Sequence, residues 1–182
     1  VRLFIAVDVP DVIKDAIERD VVGPLRDTLP GARWSRPEGR HLTLKFLGEV
    51  AHERVDGVGE ALSGAASRHV GFDAAFDTLG GFPNLRRPRV LWVGIGRGSD
   101  PLGALAADVE GTLEALGFPT EDRPFRGHFT LARFPKPQIV EAMTDVAVPE
   151  DPFPVDELVL YRSQLHPKGA RYTALERFPL TP

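Results

Sequence analysis

A chain of 182 residues, 42% of them hydrophobic, can bury one sizeable core but is too short for several independent domains. It has no cysteine, which excludes a disulfide framework, a thiolate nucleophile and Cys-ligated zinc. The net charge of −4 argues against a broad, sequence-independent nucleic-acid footprint. No run is long and apolar enough for a membrane span and no signal peptide is evident, so a cytoplasmic monomer with no membrane association is expected.

The first element is a short apolar run, Leu3 to Val7, which reads as a buried strand bounded by Asp8 and Pro10. Val12, Ile13, Ala16 and Ile17 then keep helical spacing, and Pro24 should kink or end that helix. An extended piece at Arg33–Trp34 leads into His41-Leu42-Thr43-Leu44, in which Leu42, Leu44 and Phe46 can bury one face. Val55, Val58, Ala61, Leu62 and Ala65 form the stripe of a second helix. Phe72 to Leu79 reads as a strand ended by Gly80-Gly81, and a Pro/Arg-rich loop leads to a strand from Arg89 to Ile95.

Asp100-Pro101 marks a helix start, with a carboxylate cap and Pro in the first turn. Leu102, Leu105, Ala106, Val109, Leu113 and Leu116 form the best helical stripe, and Gly117 supplies its stop. A second motif strand carries His128-Phe129-Thr130-Leu131 and is broken by Pro135 and Pro137. A short helix is expected over 138–144. Val155 to Leu165 and Arg171 to Phe178 read as a final hairpin around His-Pro-Lys-Gly. The whole, 1–182, reads as one α+β domain of two pseudo-symmetric lobes. Each lobe would be an antiparallel sheet with helices outside, and the motif strands would line the groove between.

The two motifs carry the chemistry. Alternate residues of a strand share a face, so each motif sets an imidazole beside a hydroxyl. The copies lie 87 residues apart, about half the chain, as a duplicated half-domain would leave them. Displacement at phosphorus needs one group to take a proton from the nucleophile and another to give one to the leaving oxygen. Histidine titrates near neutrality, so His41 and His128 can divide those roles. Thr43 and Thr130 can hold the non-bridging oxygens. His52, His69 and His166 lack this setting and read as surface residues. The motif histidines come with hydroxyls instead of the carboxylates or further histidines of a metal site, so neither metal nor cofactor is expected.

The chain resembles the 2H phosphoesterases, and within them the RNA 2',3'-cyclic phosphodiesterases, also called LigT-like or 2'-5' RNA ligases. The resemblance runs through RLFIAVDVP at 2–10, HLTLKFLG at 41–48, FPNLRRPRVLWVG at 82–94, RPFRGHFTLAR at 123–133, LYRS at 160–163 and RYTALERF at 171–178. It implies the same bilobal fold and metal-independent hydrolysis of nucleoside or RNA 2',3'-cyclic phosphates to 2'-phosphates, with possible reversible 2'-5' joining. It also implies catalytic His41 and His128, phosphate-binding Thr43 and Thr130, and a basic phosphate ligand in Arg133. The family usually has Pro before the second histidine, and here Gly127 stands there. Arg133 lies five residues after His128, so it reaches the groove face only where the strand bulges or ends. His128 is assigned as base and His41 as acid. Aromatic residues can hold the base of the nucleotide: Phe46 and Phe82 are candidates but read first as packing residues, and Tyr161 and Tyr172 on the late strands can reach the groove. The rival readings are a phosphodiesterase for a small metabolite such as an ADP-ribose cyclic phosphate, a non-catalytic module binding RNA ends, and a hydrolase using a His-bound metal.

Overall fold

The computed structural model describes residues 1–140 and 145–182. The chain runs β1 (Arg2–Val7), α1 (Asp11–Ile17), a π turn (Glu18–Val22), α2 (Gly23–Arg26), β2 (Arg33–Trp34) and β3 (Leu42–Glu49). It continues through α3 (Val55–Ser67), β4 (Phe72–Ala74), β5 (Phe76–Phe82), β6 (Val90–Ile95) and α4 (Ser99–Ala115). It ends with β7 (His128–Arg133), β8 (Phe153–Val155), β9 (Glu157–Gln164) and β10 (Arg171–Pro179). Among the described residues, eight strands form one antiparallel sheet in the order β10-β9-β1-β3-β7-β6-β5, with β2 beside β7. The expected α+β class is thus found. The halves of the sheet meet at β3 and β7 through a single pair, Leu42 with Phe129.

The amphipathic stripes pack as their spacing demands. Val58, Leu62 and Ala65 of α3 and Leu102, Leu105, Val109 and Leu113 of α4 are buried in one core. That core also takes Leu42, Leu131 and Phe129 from the motif strands. The opposite sheet face carries a second, smaller cluster, Phe4, Ala6, Val159 and Tyr161. No described helix is long and apolar enough to cross a membrane.

Several local expectations change. Pro24 does not end the first helix. The backbone passes into a π turn in which the Gly23 N–H donates to the Glu18 carbonyl, and Pro24 then opens α2, where a missing N–H costs least. Gly80-Gly81 lie inside β5 and do not end it. The Trp92 ring crosses Gly80, where a Cβ would overlap it, so glycine is needed for close approach and not for a turn. The run from Phe72 is split at Ala75, because β4 leaves to pair with β8. α4 is preceded by Gly98 in a left-handed conformation, and Asp100 makes no capping bond. Leu116 is exposed, past the buried stripe, while Gly117 takes the left-handed turn expected of it. The helix expected over 138–144 lies partly outside the described residues, and 138–140 are not helical.

Candidate active site

The register at the junction organises the site. Leu42 and Phe129 are paired and both point into the core. His41, Thr43, His128 and Thr130 therefore project to the other face. Continuing the register one residue each way sets His41 level with Thr130 and Thr43 level with His128. In a regular antiparallel pair the two histidines would then be diagonal neighbours, roughly 7–8 Å apart with their Cβ atoms somewhat closer. A two-fold axis through the Leu42–Phe129 pair exchanges one motif for the other. All four side chains are partly buried on that face of the sheet.

Each motif strand bulges at the same place. In β3, Thr43 pairs with Ala6 and Lys45 with Ile5, so Leu44 is the extra residue. In β7, Thr130 pairs with Trp92 and Ala132 with Leu91, so Leu131 is the extra residue. Both extras stand three residues after the histidine. A bulge resets the alternation of faces. Arg133 therefore falls on the face of His128 and Thr130, where it is exposed and makes no ion pair with a described residue. The same reset moves Phe46 out of the core: it is 63% exposed on the His41 face, against the expectation that it packs beside Leu42 and Leu44. In exchange Lys45 is turned inward, where its ammonium donates to Glu110 at 2.8 Å and to the Pro119 carbonyl at 2.7 Å.

The bulge in β7 is braced from the first half of the chain. Ser35 donates from its backbone N–H to the Leu131 carbonyl, and its hydroxyl contacts the Thr130 and Leu131 carbonyls at 3.0 and 2.9 Å. Arg40, whose side chain is fully buried, donates to the Ser35 hydroxyl and carbonyl and to Glu18 at 2.7 Å. Arg40 immediately precedes His41. One guanidinium thus ties the approach to the first histidine to the backbone that aims Arg133.

The two imidazoles sit in different surroundings. His41 is enclosed by Tyr161, Tyr172 and Phe4, with ring centroids 4.5, 5.6 and 5.8 Å away. Its Nε2 is 4.0 Å from the Asp8 carboxylate. Asp8 accepts the Tyr161 hydroxyl at 2.5 Å and the Arg177 guanidinium at 3.0 Å, and Arg177 also pairs with Glu157. Burial lowers the His41 pKa from 6.5 to about 4, assisted by the charge of Lys14 and opposed by Asp8 and the Gly39 backbone. Burial and the Asp8 hydrogen bond push the Tyr161 phenol upward.

His128 is oriented by a 2.8 Å hydrogen bond between Nδ1 and the Arg126 carbonyl, so Nδ1 carries the proton in the neutral ring and Nε2 is left for chemistry. The edge of Phe82 meets it at 4.9 Å. Its pKa is also lowered, by burial first and then by the charges of Arg133 and Arg126, against the hydrogen bond to the Arg126 backbone. Arg126 itself lies over the Trp92 ring at 4.9 Å. Gly127, at the entry to this strand, packs against α4; a Cβ there would come within 2.8 Å of Leu102 Cδ2.

Sequence reasoning missed Asp8, Arg40 and Ser35. Their role depends on contacts between separate segments, and no spacing along the chain signals it. His69 is removed from the cleft: it pairs with Asp108 at 2.8 Å between α3 and α4. A cavity of about 530 Å³ opens beside His41, lined among others by Asp8, Val9, Lys14, Glu38, Tyr172 and Arg177. Among the described residues, no group of three or more His, Asp or Glu side chains is arranged to hold a metal ion.

Comparison with known proteins agrees with this geometry. The family model described as LigT like Phosphoesterase matches residues 7–92 and 95–172, one motif in each segment. An RNA 2',3'-cyclic phosphodiesterase of Archaeoglobus fulgidus is 33% identical over 180 residues, covering 97% of this chain and 99% of its own. One of Geobacillus stearothermophilus is 34% identical over 97% of this chain, which spans 56% of that relative's length. The crystal structure of a Thermus thermophilus protein superposes with a TM-score of 0.84 at 31% identity, covering 99% of this chain and 98% of that one. Escherichia coli LigT complexed with 3'-AMP superposes with a TM-score of 0.76 at 31% identity, covering 100% and 98%. With both motifs on one face of the sheet and the family model matched along nearly the whole chain, the chain belongs to the LigT-like phosphoesterase family of the 2H superfamily.

Proposed function

We propose that this chain hydrolyses the 2',3'-cyclic phosphate at RNA or nucleoside ends to a 2'-phosphate, by acid–base catalysis between His41 and His128. The observation that supports the reading is the register at Leu42–Phe129, which sets both imidazoles and both threonine hydroxyls on one face of the sheet. The names of the family relatives support the same reaction class.

The neutral ring of His128 takes a proton from water as the water oxygen attacks phosphorus. The imidazolium of His41 gives a proton to O3' as the P–O3' bond breaks, leaving a 2'-phosphate and a free 3'-hydroxyl. The division follows from the surroundings. Cationic Arg126 and Arg133 disfavour a second positive charge at His128. Asp8 is the carboxylate beside His41 and favours its protonated form, against the burial of the ring and the charge of Lys14. In the free cleft burial outweighs Asp8 and keeps His41 neutral at pH 7. The bound phosphate, itself negative, raises it enough to carry the proton. Thr43, Thr130 and Arg133 hold the non-bridging oxygens, with the guanidinium matching their geometry.

Two profiles test the division. Both free rings lie below 6.5, so kcat/KM should peak on the acid side of neutrality, and kcat, which reports the bound state, should peak at higher pH. Coincident peaks would overturn the role given to the phosphate charge. The reaction itself is tested by phosphorus NMR on a short RNA ending in 2',3'-cyclic phosphate, with EDTA present, beside His41→Ala. Formation of the 2'-phosphate by the parent protein alone is expected. Turnover of an ADP-ribose cyclic phosphate in preference to RNA would favour the small-metabolite reading, and tight RNA binding without turnover the binding module.

We further read residues 1–182 as one bilobal unit, monomeric and cytoplasmic, that arose by internal duplication. The duplication is supported by His-x-Thr and a bulge three residues after the histidine on both strands.

A further inference from the structure

We infer that the sheet face beyond His41 is a subsite for the nucleotide on the 5' side of the cyclic-phosphate nucleotide, with its base stacked on Phe46 and its phosphate beside Arg2. The inference rests on the proposed reaction and adds to it what the enzyme reads upstream of the scissile ring. An RNA end that carries a 2',3'-cyclic phosphate continues only in the 5' direction, so one neighbouring nucleotide has to be accommodated.

The registers lay out this face in rows. Thr43 and Ala6 form one row at the phosphate position. The next row, two residues back along β1 and so about 7 Å away, is Phe46, Phe4, Tyr161 and Ala174. The row after it contains Arg2, Ser163 and Tyr172, with Glu49 at its end. The aromatic row is continuous: Phe46 leans on Phe4 at 5.9 Å, and Phe4 stacks on Tyr161 at 5.1 Å with an interplanar angle of 13°. Phe4 and Tyr161 are buried, whereas Phe46 is 63% exposed and has a free ring surface. Arg2 is exposed and makes no ion pair among the described residues.

Nothing in the folding of β3 requires an aromatic there. The bulge at Leu44 sends position 46 to the wet side, where a polar residue would normally stand, and an exposed ring that continues the row of Phe4 and Tyr161 offers a flat stacking surface. The terminal nucleoside has a separate place. The cavity beside His41 is of nucleoside size, and Phe46 does not line it. An exposed ring one row from the phosphate with a cation one row further suits a stacked base followed by a phosphodiester. Stacking on an aromatic side chain tolerates any base, so the subsite should distinguish an RNA strand from a mononucleotide without reading sequence.

The test compares kcat/KM for a nucleoside 2',3'-cyclic phosphate and for a dinucleotide ending in the same cyclic phosphate. The parent protein should prefer the dinucleotide roughly 10- to 100-fold, the usual scale of one stacked base. Phe46→Ala should bring the ratio between the two substrates close to one, Phe46→Trp should restore it, and Arg2→Gln should lower it in part. A dinucleotide with an abasic 5' residue should lose the preference with the unmodified protein, a result that does not depend on how a variant folds. Equal loss on both substrates in Phe46→Ala, or a mononucleotide used as well as the dinucleotide, overturns this inference alone. No turnover of either substrate by the parent protein overturns the proposed reaction and the subsite with it.

Discussion

The two halves of the cleft share a backbone and differ in charge. Each offers a histidine, a threonine two residues on and a bulge one residue further. Around His41 stand three aromatic rings, the Asp8 carboxylate and the charge of Lys14; around His128 stand Phe82, Trp92 and two guanidinium groups. At the fifth position after the histidine one strand places Phe46 and the other Arg133. A symmetric frame therefore sets two imidazoles in equivalent places, and in the proposed reaction their unlike surroundings divide the work between them. Identical half-sites would give the rings equal proton affinities and no direction to the reaction.

The largest effect should come from removing either ring. His41→Ala and His128→Ala should each lose roughly 10²–10⁴-fold in kcat, and the double variant far less than the product, because the pair acts as a unit. Additive losses in single-turnover assays would mean that the rings act separately.

Next is the brace that joins the halves. Arg40→Ala removes the buried guanidinium from the Ser35 anchor and from Glu18, which keeps its pair with Arg26, and should cost about 1.5–3 kcal/mol in urea unfolding. A change under about 1 kcal/mol, the scale of a surface pair, would remove Arg40 from this role.

The charge difference also has a signature in stability. Folding lowers the His41 pKa from 6.5 to about 4, so as pH falls the unfolded chain takes up the proton first. The contribution is complete above pH 6.5 and should be lost progressively towards pH 4, by roughly 3 kcal/mol from this ring. The lowered pKa of His128 acts in the same direction. His41→Phe should flatten the dependence in denaturation series at stepped pH, and an unchanged slope would place the titration elsewhere.

Arg133→Gln should reduce kcat/KM about 10- to 100-fold, the scale of one hydrogen bond to a charged group, with Arg133→Lys in between. A loss confined to the stability of the variant would return Arg133 to the surface. The smallest effect is expected of Asp8→Asn: about tenfold in kcat at neutral pH, corresponding to one pKa unit at His41, and shrinking in acid where the ring is protonated without help. A pH-independent loss would make Asp8 a packing residue for Tyr161 and Arg177.

Much of this was legible in the chain itself. The period of two in His-x-Thr puts ring and hydroxyl together whatever surrounds them, because the pleat alone dictates it. The stripes of α3 and α4 were legible for the same reason at period 3.6. Phe46, Lys45 and Arg133 were not. Their faces depend on how many residues the neighbouring strand sets against them, and a bulge is a property of the pair and not of either strand. Gly80-Gly81 read as a strand end because their need for glycine lies elsewhere in the chain, Gly80 under the Trp92 ring of the next strand and Gly81 against Asn84 and Pro88 of the following loop. Asp8 reaches His41 only because β1 and β3 are neighbours. The sequence by itself determined the elements, the two motifs and the chemistry that they suit. Only the tertiary structure decided which side chains stand beside each ring, since bulges, braces and local charge arise where separate segments meet.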